Sequence, residues 1–246
     1  MMQNELFDVI AKRRSIRKYQ DRKVEGGDMK GVVDFLAQVK PLFPEIRTEL
    51  RVLESATGKG LGSSIAPHFV SIFSEPKGDY LMNAGFMIQQ VDLYLSSHGL
   101  GSCYQAMVKP NKDFVPPAGM ECVISIVFGW PSVELHRKSL DEFKREPLSA
   151  ISTVKGHDDI MQAARVAPSG RNTQSWFFTG GDGVIDQYYQ KSLLFNDLRL
   201  IDGGIVLCHI WVAAEHAGKK VIFRKDADAA KNAPEKREYL ISVHLQ

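Results

Sequence analysis

Leu81-Met82-Asn83-Ala84-Gly85-Phe86-Met87-Ile88-Gln89-Gln90-Val91-Asp92-Leu93-Tyr94-Leu95-Ser96-Ser97-His98-Gly99 sits near the middle of the first half of the chain. Ala84, Met87, Ile88, Val91, Tyr94 and Leu95 recur at intervals of three and four, which predicts a long helix over 81–98 with one apolar stripe. Gly99 stands where a helix commonly ends in the left-handed conformation. A second long apolar helix is predicted over 198–217, followed by Gly218. Gly85 and Gly204 are 119 residues apart, and so are Gly99 and Gly218. In each helix the internal glycine precedes the terminal one by 14 residues. Unrelated helices can share two glycine positions by coincidence, but the flanking strands repeat as well.

Residues 67–74 (Pro67, then His68-Phe69-Val70-Ser71-Ile72-Phe73-Ser74) read as a strand before the first long helix, and 121–128 as a buried strand after it. Strands at 175–179, 221–224 and 239–245 surround the second. Leu50–Leu53 is a further short strand. Shorter helices are expected at Asn4–Lys12, from an Asp28 cap to Pro41, and over Asp158–Val166. The expectation is an α+β fold of two half-repeats, residues 1–140 and 141–246. Each half is a helix–strand–long helix–strand unit.

The chain has 246 residues, 44% of them apolar and 24% charged, with a net charge of +2. A chain of this size can bury a core without staples. The longest run free of Asp, Glu, Lys and Arg is 93–108, too short and too polar to span a bilayer. No basic and apolar leader is visible at the N-terminus. The three cysteines are odd in number and widely spaced, as in a protein with reduced thiols, and a cytoplasmic location is expected. The near-neutral balance argues against a nucleic-acid surface. Neither metal-ligand spacing nor a membrane segment is present.

Charge is uneven in one place. Residues 12–23 carry Lys12, Arg13, Arg14, Arg17, Lys18, Arg22 and Lys23 against Asp21 alone. Such a cluster suits one anionic ligand, or simply a solvated helix end. Guanidinium forks beside the Ser15 hydroxyl fit a phosphate dianion. Ser15-Ile16-Arg17-Lys18 also has the Ser-x-x-Lys spacing of acylating enzymes, but the elements that accompany it there are missing. A second polar segment, Ala167-Pro168-Ser169-Gly170-Arg171-Asn172-Thr173-Gln174-Ser175-Trp176, leaves a helix through a proline turn. Its Ser and Asn can read the edge of a flat heterocycle, or serve only as turn residues. Trp176 reads as exposed. The glycine-rich run 58–64 matches neither phosphate-binding fingerprint and reads as a loop. Cys103 reads as a small packing residue, and Cys208-His209 as core.

Arg13-Arg14-Ser15-Ile16-Arg17, Gly99-Leu100-Gly101-Ser102-Cys103-Tyr104, Phe128-Gly129-Trp130-Pro131 with Arg137-Lys138, and Ala167-Pro168-Ser169 with Asn172, Gln174 and Trp176 together resemble the nitroreductase family of FMN-dependent oxidoreductases. The order departs from the family pattern. The Ala-Pro-Ser element sits in the second half, and Lys40-Pro41-Leu42-Phe43 stands where it is expected. The chain is similar to a divergent, duplicated branch of the family, in which one chain replaces a dimer.

The resemblance implies a nitroreductase-like fold, a pseudo-dimer within one chain, and one FMN site per chain. Arg13, Arg14, Ser15 and Arg17 would hold the FMN phosphate and its surroundings, completed by Arg137 and Lys138. Arg17 would also approach the flavin N1/O2 edge. Pro168, Ser169, Gly170 and Asn172 would contact the ring and ribityl from the other half. Gln105 and Ala106 would lie by the flavin N5, within 101–107. It further implies NAD(P)H as reductant and a small-molecule acceptor such as a nitroaromatic or quinone. Oligomerisation would go no further than a monomer or a weak homodimer. The alternative is a non-catalytic flavin-binding or regulatory protein of the same fold.

Overall fold

The computed structural model describes residues 2–53, 66–106, 108, 110 and 114–246. The glycine-rich run 58–64 and Met107 lie outside them. Two long helices, α3 (Tyr80–Ser97) and α6 (Asn196–His216), form the centre. Around them lie α1 (Met2–Ile10), α2 (Gly26–Leu36), α4 (Leu148–Ile151), α5 (Asp158–Arg165) and α7 (Ala227–Lys231). Two four-stranded sheets complete the fold. One is built from β1 (Thr48–Leu53), β2 (His68–Ser74), β3 (Gly101–Gln105) and β4 (Glu121–Gly129), in the order β1-β2-β4-β3. The other uses β5 (Trp176–Gly181), β6 (Val184–Tyr189), β7 (Val221–Arg224) and β8 (Glu238–Leu245), in the order β5-β6-β8-β7. The pairings within both sheets are antiparallel.

The two sheets repeat each other in detail. In the first, pairing steps from Ile72–Ile124 to Phe73–Cys122, so Val123 is bulged out. In the second it steps from Gln187–Ile241 to Tyr188–Tyr239, bulging out Leu240. A bulge adds twist and bends the strand. Each therefore curls its sheet at the same place.

The central helices touch backbone to backbone at the two glycines. A methyl group on Gly85 would lie 2.0 Å from the Ile201 carbonyl oxygen, and one on Gly204 would lie 1.9 Å from that of Met82. Each glycine thus meets the residue three positions before the other. A contact that is its own reverse is the geometry of a two-fold interface. The apolar stripe expected over 81–98 is present but incomplete as a description. Most of α3 and two thirds of α6 are buried, polar side chains included, because helices and strands pack against them.

Three sequence expectations shift. The second helix starts at Gly26, before Asp28, and stops at Leu36 instead of running to Pro41. The turn from Gln38 N–H to the Phe35 carbonyl closes it early. The segment 101–105 is a strand as well as a motif. Strand β6 was not anticipated, although the Asp182-Gly183 turn before it has positive φ at both residues, the two-residue hairpin geometry.

Candidate functional site

The Arg-rich segment after α1 is held in place by its backbone. Ile16 N–H donates to the Ser102 carbonyl at 2.8 Å, and Gln20 N–H to that of Trp130 at 2.8 Å. Arg137 N–H donates to the Lys12 carbonyl at 2.8 Å. Residues 13–19 therefore run between β3 and the 130–137 segment. Gly101 is required there, since a methyl group on it would come within 2.8 Å of the Ile16 side chain. This crossing accounts for one glycine of the Gly-Leu-Gly-Ser-Cys motif.

Ser15 and Arg17 reach one wall of a cavity of about 210 Å³. Tyr104 and Ala106 come to it from the end of β3, and Pro168, Ser169 and Gly170 from the turn after α5. Asp202 of α6 closes it. The cavity shares Ala106, Leu198 and Ile201 with a cleft of about 890 Å³, so it opens into a larger space. Side chains more than 150 positions apart in sequence thus meet across one opening.

The turn after α5 is strained. Arg171, Asn172 and Gln174 all have positive φ, at 54, 60 and 47°. Such conformations persist only where surroundings hold them. Here Gly170 N–H donates to both Asp202 oxygens, at 2.9 and 3.0 Å. Gln174 N–H donates to Ser169 Oγ at 3.0 Å, and Asn172 Nδ2 to the Lys144 carbonyl at 2.8 Å.

Asn172 is not on the cavity wall. Its amide is engaged with Lys144 and with the Arg145 guanidinium. Its place in this structure is to fasten the turn to the 144–145 segment.

Arg13 also departs from expectation. It is 1% exposed, and its Nε lies 2.9 Å from Asp92 Oδ2 on α3, itself fully buried. Its Nη2 donates to Ser15 Oγ at 3.2 Å. Arg13 therefore supports the loop from within, and Ser15 and Arg17 face the opening. Asp92 further accepts from Ser102 Oγ at 2.5 Å and Gln89 Nε2 at 3.1 Å. Gln89 Oε1 accepts from the Tyr104 hydroxyl at 2.7 Å, and its amide reaches His209 Nε2 at 3.1 Å. His209 Nδ1 lies 2.9 Å from the Ala163 carbonyl, which can only accept, so Nδ1 carries the proton. Burial holds that imidazole neutral, its pKa pushed down to about 3. Burial, with Asp92 adding to it, raises the Tyr104 hydroxyl well above its ordinary value. The network ties both central helices to the cavity wall.

A cationic cluster flanks the strained turn. Arg137 and Arg145 both lie over the Phe143 ring, 4.1 and 5.8 Å from its centre. Arg145 Nε donates to the Ala167 carbonyl at 3.0 Å. Burial and neighbouring cations lower both guanidinium groups to about 10. Arg13 and Arg14 act on Arg137, and Arg13, Arg137 and Arg165 on Arg145. Cations that depress one another favour an anion between them. Lys138 is exposed, with Glu134 at 3.9 Å. Gln105 is half-buried on β3 and Ala106 exposed at the cavity rim. Trp176, expected to be exposed, is 3% exposed because its strand faces the core. Cys208 and His209 are core, as expected, and Cys103 is buried beside the cavity.

The sequence reading missed Arg145, Asp202 and Asp92. A signal for Asp202 was present: it stands two residues before Gly204, as Asn83 stands two before Gly85. Among the described residues no His, Cys, Asp and Glu group could hold a metal ion, and no helix is long and apolar enough to cross a membrane.

Residues 5–214 match the family model described as "Putative TM nitroreductase". The chain belongs to this nitroreductase family. A crystal structure from Thermotoga maritima, described as a putative nitroreductase, shares the fold of this chain at a TM-score of 0.67. Identity is 22%, over 98% of this chain and 93% of that one. A nitroreductase family protein from Clostridium difficile 630 aligns at 0.47 and 22% identity, over 59% of this chain and 94% of its own. A protein from Clostridium difficile R20291 described as an FMN-dependent nitroreductase aligns at 0.39 and 22%, over 52% and 87%. No curated protein sequence matches.

Proposed function

We propose that this nitroreductase family member is an FMN-dependent oxidoreductase carrying one flavin per chain. Electrons would pass from NADH or NADPH to a nitroaromatic, quinone or similar acceptor. The observation that carries the reading is the meeting of Ser15 and Arg17 with Pro168, Ser169 and Gly170 across one cavity. Arg137 and Arg145 donate to the Arg13 and Ala167 carbonyls of the two segments that carry those residues. The donor set fits FMN. Apolar Ile124 and Ile205 line the cavity together with hydroxyls and guanidinium groups, which suits a ring bearing a phosphate tail.

Bound FMN would supply the hydride chemistry. Arg17 would place positive charge by the ring edge, favouring its reduced, anionic form. Ser15 and Arg14 would hold the phosphate, with Arg137 and Arg145 adding charge. Ser169 would hydrogen-bond the ring or ribityl. The large cleft beyond Ala106 and Leu198 would admit the nicotinamide and then the acceptor.

We read residues 1–140 and 141–246 as the two halves of a pseudo-dimer, of which one site is kept. The repeated sheet order, the paired bulges and the reciprocal glycine contact support this. Phe223 stands at the position that the repeat relates to Tyr104. Phe223 pairs with Val243 as Tyr104 pairs with Ile126, and packs edge-on against Phe86 at 5.7 Å. Lys225 reaches Asp79 at 2.9 Å.

The test is to purify the protein, release flavin by heat and quantify it against protein, then add NADH or NADPH under argon. About one FMN per chain and bleaching of the flavin absorbance are expected. A ratio near two overturns the one-site reading. Bound flavin that neither nucleotide reduces overturns the enzyme reading and favours a binding or regulatory protein.

A further inference from the structure

Asp202 is 3% exposed, yet its carboxyl forms part of the cavity wall. Both its oxygens accept from one donor, the Gly170 N–H. That bond fastens the turn carrying Pro168 and Ser169. The other half of the chain does the same work with an amide. Asn83, at the corresponding place on α3, accepts from Leu42 N–H at 2.8 Å and Phe43 N–H at 3.0 Å through Oδ1, fastening the Pro41 turn. An amide therefore suffices to hold such a turn. The half with the cavity uses a titratable group instead, against a cost in desolvation that one N–H does not offset.

We propose that Asp202 takes up a proton when the ligand in this cavity gains negative charge, so that reduction of the flavin is coupled to one proton beyond that of the ring. This rests on the flavin reading above. The charged and titratable groups facing Asp202 are few. Arg199 shares its helix, and Arg17 comes from the segment after α1. Arg171 comes from the turn, and Tyr104 and Cys103 from β3. Asp92 of α3, paired with Arg13, acts with Asp202 on the same Tyr104 hydroxyl.

Burial raises the Asp202 carboxyl to about 7, with the Gly170 N–H and Arg199 pulling the other way. It is thus partly ionised near neutrality, where an added negative charge nearby would drive it to the neutral form. The balance is as follows. The oxidised ring gains two electrons and one proton and becomes the anionic reduced ring. The Asp202 carboxylate gains a second proton from water and becomes the carboxylic acid. The electrons come from a dihydronicotinamide or, in a titration, from dithionite.

Midpoint potentials of the FMN-loaded protein would be measured from pH 6 to 9 with dithionite and mediators. A two-electron couple shifts by about 30 mV per pH unit for each proton. The parent should fall about 60 mV per pH unit just above pH 7, and Asp202→Asn about 30. A parent slope of one proton per two electrons throughout overturns the proposal. So does the steep slope persisting in Asp202→Asn, which assigns the proton to the ring. Should the variant not hold FMN, the reduced-minus-oxidised infrared difference spectrum of the parent decides. A protonated carboxyl stretch appearing on reduction supports the proposal, and its absence overturns it. A colourless protein that takes up no FMN overturns the flavin reading and this proposal with it, and is told apart from these outcomes by its lack of visible absorbance.

Discussion

Asp92→Asn would leave Arg13 as a cation in the core with no anion beside it. In the parent the two groups are 2.9 Å apart with side chains 2% and 0% exposed. Asparagine keeps an oxygen for the Ser102 hydroxyl, so the substitution isolates the charge. Breaking a buried pair from one side costs about 3–5 kcal/mol. In a chain of this size each kcal/mol moves the melting temperature by roughly 2–4 °C, so a fall of roughly 6–20 °C is expected. Thermal and urea unfolding of the flavin-free protein would measure it. The double variant Arg13→Met with Asp92→Leu removes both charges and should recover a good part of the loss, because neither ion is then left unpaired. Flavin retention should fall in Asp92→Asn, since Ser15 hangs from the Arg13 guanidinium. An Asp92→Asn protein within about 1 kcal/mol of the parent would refute the reasoning. So would a double variant as unstable as the sum of its single substitutions.

Three further outcomes are expected. Arg137→Ala should weaken FMN binding by roughly 10- to 150-fold, the loss of one charge-assisted contact, and leave riboflavin binding unchanged; equal effects on both ligands would place the phosphate elsewhere. Gly204→Ala forces a methyl group to within 1.9 Å of a backbone oxygen, and urea unfolding should show a loss of about 1–3 kcal/mol or more, with Gly85→Ala showing the same. Asp202 is raised on folding, so it contributes stability below pH 4 that is lost as pH rises towards 7. Relative to Asp202→Asn, the flavin-free parent should therefore lose up to about 4 kcal/mol across that window, and parallel curves for the two proteins would contradict the assignment.

The long helices, the strands around Val70 and Ile126, and the 119-residue spacing of the paired helix glycines are all legible in the sequence. Helical spacing, β-branched runs and glycine positions are local properties, and they survive whatever packs around them. The two polar segments were legible for the same reason: residue type and order identify a set of donors. Which donors face the cavity was decided only by tertiary structure. Arg13, Arg14 and Arg17 are alike as residue types. The backbone path between β3 and the 130–137 segment turns Arg13 inward to Asp92 and leaves Arg17 at the opening. Asn172 looked like a ring contact, but positive φ at three positions of the turn swings its amide onto Lys144 and Arg145. Trp176 is buried because its strand pairs with β6 and turns that side chain into the core. Asp202 and Arg145 belong to no motif. Asp202 becomes part of the site because the close crossing at Gly85 and Gly204 brings α6 against the first half, and Arg145 because it bonds the Ala167 carbonyl and Asn172 of the turn; no local pattern encodes either contact.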